Sequence, residues 1–236
     1  LVPQAFQNSR VYTTMVRQML DFLAEDVGGV ERAEEAEGPP KVENYVARKV
    51  VGNFIELSSF ATFHLSPFLL LAIVSDVAYG SQAYLHELAG ELKAQGVIAE
   101  DSTVDHVDDL LAAVGAATNK SAASFDTPPL SVDGLKQTIS QTRESVRTID
   151  PTKVLPQAEI KRLWDDMHEL ATSQGVNPLA ISGAVTLYTL DKIGAVGRGA
   201  LSTVKAAGTL FDRHVIDHYQ DAIAEIHKKG LYASVA

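Results

Sequence analysis

The sequence predicts an all-α protein: an irregular bundle of about eight or nine helices around one buried central helix. Three observations carry that expectation. Apolar residues recur at helical spacing nearly end to end, and no stretch alternates apolar and polar residues as a half-buried strand would. The segment Phe60 to Ala78 is apolar almost throughout, broken by His64, Ser66-Pro67 and Asp76. Its clean run, Pro67 to Val74, is far shorter than the roughly 20 residues that a membrane-spanning helix needs. It therefore reads as a helix buried on nearly every side.

The elements follow in order. Met15, Met19, Phe22 and Leu23 fall at helical spacing and predict a first helix from about Gln4 to Val27, stopped by Gly28-Gly29. The acidic stretch Glu31 to Pro40 reads as a connector or a solvated helix. A helix from about Val42 to Phe63 leads to Ser66-Pro67, where a capping hydroxyl precedes proline at the first helical position. From Pro67 the apolar stripe runs through Tyr79, Leu85, Leu88 and Leu92. The reading is one helix to Gln95, kinked or closely packed at Gly80 and stopped by Gly96.

Ser102 or Thr103 is expected to cap a helix carrying Val107, Leu110, Leu111 and Val114. Ser124 to Pro129 is a break and the best candidate boundary between two halves (near 124–131) of what otherwise reads as a single domain, 1–236. Ser131 then caps a polar helix to about Thr148, with Asp133 in its first turn. Ile160, Leu163, Trp164, Met167 and Leu170 mark a helix from about Pro156 to Ser173. Asn177-Pro178 repeats the cap-plus-proline signal and opens a helix to about Lys192. Gly194 to Gly199 leads into one or two last helices ending at Gly230.

Composition narrows the chemistry. The chain has 236 residues, 46% of them hydrophobic, a formal net charge of −10 and no cysteine. Thiolate nucleophiles, disulfides and cysteine-ligated zinc or iron–sulfur centres are excluded. The acidic balance disfavours nucleic acid as a partner. No signal peptide is legible, and a cytoplasmic or peripheral-membrane setting is expected.

The sharpest polar constellation is His214, His218 and Asp221, which share one helix face at i,i+4 and i,i+3 spacing. Imidazole and carboxylate suit a divalent transition metal. Val215 follows His214, however, so the base of a His-Glu-x-x-His metalloprotease is missing. Asp165-x-x-His168 has the spacing used in di-iron bundles, without the second pair those sites require. His64 and Asp76 sit in the most apolar segment, near Glu56 and Tyr79, and read as an internal clamp or an acid–base couple. No nucleophile elbow or phosphate loop is present. Ile193, Ala200, Val204, Ala207 and Phe211 form an apolar stripe opposite Arg198 and Lys205, as on a core-facing or membrane-surface helix. Between Ala94 and Asn119 there is no Lys or Arg, while Glu100, Asp101, Asp105, Asp108 and Asp109 make an acidic face.

The expected function is a non-enzymatic helical module, without a cofactor, that binds a lipid or other apolar molecule, a partner helix or a membrane surface. Its expected lining is Phe60, Phe63, Phe68, Leu71, Tyr79 and Tyr84, with His64 and Asp76 as polar handles. One alternative is a metal-dependent oxidase or hydrolase using His214, His218 and Asp221. The other is an interaction module whose acidic face meets a basic protein partner.

Overall fold

The computed structural model describes residues 55–56, 59–60, 62–121, 132–148, 150, 155–196 and 213–235, all within the unit Ile55–Ala236. Among them the fold is all-α, with no strand. A short 3₁₀ turn, Phe63–Leu65, precedes α1 (Pro67–Tyr79), α2 (Ala83–Ala94), α3 (Val107–Ser121) and α4 (Val132–Thr148). Then come α5 (Gln157–Gln174), α6 (Pro178–Val196), α7 (Arg213–Lys229) and the one-turn α8 (Leu231–Val235). The expected helix at 4–27, the acidic connector, the break at 124–129 and the glycine stretch at 197–199 lie outside the described residues. So does most of the expected helix at 42–63, although 55–56 and 59–60 are helical.

The centre of the bundle is α1. Every residue from Pro67 to Ser75 is buried, because α2, α4, α5 and α6 all pack against this one helix. A second group forms where α6 meets α5, α7 and α8, burying Leu179 to Thr186 on α6 and Ile216, Tyr219, Ile223 and Ile226 on α7. Helices before and after the break near 124–131 thus share α1 as a common surface.

Local chemistry explains the boundaries. Pro67 has no N–H to satisfy at the first position of α1. The N–H of Leu69 donates to Ser66 Oγ (3.3 Å), that of Leu70 to the Ser66 carbonyl (3.1 Å), and that of Phe68 to Ser182 Oγ on α6 (3.4 Å). Asn177 caps α6 by accepting from the Ala180 N–H at 2.7 Å. At the end of α2, Val97 N–H reaches the Leu92 carbonyl and Gly96 N–H that of Lys93, with Gly96 at φ 68°; this glycine closes the helix as expected.

Three boundaries differ from expectation, the last being Gly230, beyond which the chain continues as α8 rather than ending its helices. The stripe does not run unbroken from Pro67 to Gln95: Gly80 adopts φ 63°, its N–H bonds the Asp76 carbonyl, and α1 ends there. A left-handed residue terminates a helix rather than bending it, and Leu85, Leu88 and Leu92 belong to the separate α2. Likewise α3 begins at Val107 rather than beside Ser102 or Thr103. Asp109 Oδ2 accepts from the N–H groups of Asp105 (3.1 Å) and His106 (2.8 Å), so a carboxylate inside the first turn reaches back to cap it.

Candidate functional site

The eight residues expected to line a ligand site fall into two groups by burial. Phe63, Phe68 and Leu71 are core residues, each at most 3% exposed. Phe60, His64, Asp76, Tyr79 and Tyr84 are half-buried. Tyr79 donates to the Leu155 carbonyl at 2.9 Å, which ties α1 to the chain entering α5. Burial, and then Asp150, raise its hydroxyl above the ordinary tyrosine range.

His64 and Asp76 are not a couple. One precedes α1 and the other lies near its far end, separated along the helix by more than about 13 Å. Asp76 instead faces His106 Nδ1 at 3.6 Å. Nearby, His86 Nε2 meets Asp105 Oδ1 at 3.1 Å, so two imidazole–carboxylate pairs, the second of them exposed, join the segment before α3 to α1 and α2. Burial pushes the His64 imidazole below its ordinary value.

Phe68 and Tyr84 do come together, through a residue that sequence reasoning had placed only in the core. Trp164 on α5 lies with its ring centroid 4.5 Å from Phe68 and 4.8 Å from Tyr84. His168 completes the cluster, 5.2 Å from Phe68 and stacked at 27° on Trp164. Asp165 and His168 are therefore not half of a metal pair: Asp165 bonds Lys161 on the surface, whereas His168 Nε2 lies 3.0 Å from Glu87 Oε1 on α2.

On α7, His218 is half-buried and Asp221 exposed, while the side chain of His214 lies outside the described residues. Among the described residues no three His, Asp or Glu side chains are gathered to hold a metal ion, and no helix is long and apolar enough to cross a membrane. The acidic face is partly engaged. Asp108 bonds Arg143 of α4 at 2.8 Å, and this hydrogen bond draws its carboxyl below the usual range.

The interior is poor in acid–base groups. Apart from Trp164 and Tyr219, the buried polar side chains among the described residues are serine and threonine hydroxyls. Several bond their own helix: Thr186 donates to the Ser182 carbonyl (2.9 Å) and Thr189 to that of Val185 (2.8 Å). Tyr219, buried and donating to the Leu65 carbonyl at 3.1 Å, has its ionisation pushed far up by desolvation. Such groups hold helices together and are poorly suited to moving protons near neutral pH.

A groove of about 490 Å³ lies between α3 and α4, lined by Asp108, Leu111, Ala112, Gly115, Thr118, Val132 and Lys136. None of the eight expected lining residues takes part. Its sequence signal was the stripe at 108, 111, 112, 115 and 118, of which Leu111 had been read as core and Asp108 as acidic face. Leu110 and Val114 fill the core side of α3 instead, leaving Leu111 half-buried. A Cβ at Gly115 would meet nothing within 4 Å, so the space beside it is open. Comparison of the chain with protein-family models, curated proteins and solved structures finds no match.

Proposed function

We propose that the protein is a non-enzymatic helical binding module that takes a small apolar ligand in the groove between α3 and α4. The groove itself carries this reading. Its volume of about 490 Å³ falls within the roughly 300–1,000 Å³ of small-molecule sites, which are mostly apolar with a few polar groups. Leu111, Ala112, Gly115 and Val132 supply the apolar surface; Thr118 and Lys136 supply polar groups for the head of a fatty acid or similar amphiphile, and Asp108, also in the lining, is bonded by Arg143. The scarcity of acid–base groups among the buried side chains of the described residues favours binding over catalysis.

Gly115→Leu separates binding from folding. Its Cβ enters open space, and replacing a mid-helix glycine favours the helix by about 0.5–1 kcal/mol. Titration with a fluorescent long-chain fatty acid is expected to show saturable binding by the wild type. At least a tenfold loss is expected in Gly115→Leu, at unchanged or higher Tm. Equal binding by both proteins removes the groove from the proposal. Binding of an amphipathic helical peptide but not the fatty acid would replace the ligand class.

A further inference from the structure

The bond between Asp108 and Arg143 fixes how α3 and α4 lie along their groove. Gly115 and Thr118, later on α3, share the lining with Lys136 and Val132, earlier on α4, so the two helices run in opposite directions. Gly115 follows Asp108 by seven residues, and Lys136 precedes Arg143 by seven. Both therefore lie roughly 10 Å along their helices from the ion pair, level with each other across the groove. The glycine leaves open space at that level, since a Cβ on it would meet nothing within 4 Å.

The polar groups of the lining are not equally open to a ligand. Asp108 is engaged by Arg143 at 2.8 Å. Asp109, beside it in sequence, accepts from the N–H groups of Asp105 and His106. Thr118 donates its hydroxyl proton to the Gly115 carbonyl at 2.9 Å. Lys136 is exposed, and among the described residues no carboxylate is paired with it. Its ammonium is thus the one lining charge left for a ligand among those residues. An ammonium donates hydrogen bonds and accepts none, and a carboxylate does the reverse. We propose that Lys136, opposite Gly115, seats the anionic head of an apolar-chain carboxylate and makes the groove selective for that class over neutral and cationic amphiphiles. This rests on the groove being the ligand site. The chain of the ligand then lies on Leu111, Ala112 and Val132.

Calorimetric titration with decanoate and with decanamide, which share a chain and differ in the charge of the head, tests the seat. Wild type is expected to bind decanoate about fivefold tighter, the upper end of what an exposed ion pair contributes, and added salt should narrow the gap. In Lys136→Gln the preference is lost, and Lys136→Glu prefers decylammonium to decanoate. Because Lys136 is exposed, both variants are expected to fold, which circular dichroism and thermal unfolding check. Equal affinity of the wild type for acid and amide, or a preference that survives in Lys136→Gln, overturns the seat. Gly115→Leu keeps that failure apart from failure of the groove. If it weakens both ligands, the groove remains; no binding by the wild type, or equal binding by Gly115→Leu, removes groove and seat together.

Discussion

A Cβ built on Gly183 would lie 2.6 Å from Ser59 Cβ and 2.8 Å from Ser59 Cα. Because one of those atoms is backbone, no rotation of the serine relieves the clash. Gly183→Ala is therefore expected to lower unfolding free energy by about 1–3 kcal/mol in urea denaturation, despite alanine's better helix propensity. Adding Ser59→Gly should recover only part of the loss, since the Cα remains. His64 gives a residue-scale prediction in pH. Its folded-state value is lowered from 6.5 by burial, so the unfolded chain takes up the proton first as pH falls. Its contribution is present above about pH 6.5 and is lost on acidification. Replacing His64 with Gln should flatten the acid side of a stability–pH profile.

Helix starts turn on single hydroxyl and amide groups. Asn177→Ala removes the side-chain oxygen that caps α6 and is expected to cost about 1 kcal/mol. Ser182→Ala is expected to cost about 1–3 kcal/mol, because it strips the acceptor from the buried Phe68 N–H at the start of α1. Thermal or urea unfolding measures both; an unchanged midpoint for Ser182→Ala would show that this long bond contributes nothing. The local caps and the long-range bond differ in how readable they are. Ser66-Pro67 and Asn177-Pro178 announce themselves locally, since cap and proline act within one turn. Ser182 lies far along the chain, and no local pattern links it to Phe68. The end of α1 is hidden for another reason. Leu85, Leu88 and Leu92 continue the apolar spacing past Gly80, and only the positive φ of that glycine separates two helices from one.

For the molecule as a whole, burial of α1 dominates. Leu71 and Ile73 are at most 3% exposed, so Leu71→Ala or Ile73→Ala is expected to cost about 2–5 kcal/mol. That is a large share of the roughly 5–15 kcal/mol available to a folded domain. Such losses should appear as a lower urea midpoint with an unchanged slope. They would report on the core and not on a ligand, which is why the ligand test rests on Gly115.

Periodicity, the two cap-plus-proline signals and the missing cysteines were enough to establish an all-α, thiol-free bundle with a buried helix at Pro67. Those properties depend on residue type and short-range geometry, which are written along the chain. Which polar groups meet, and which apolar faces stay uncovered, depends on residues brought together from distant positions. Asp76 pairs with His106 rather than His64, His168 with Glu87 rather than Asp165, and Leu111 faces a groove rather than the core. Each outcome depends on how one helix is rotated against its neighbours. A rotation that buries Leu110 and Val114 turns Leu111 and Gly115 outward, and only packing selects it.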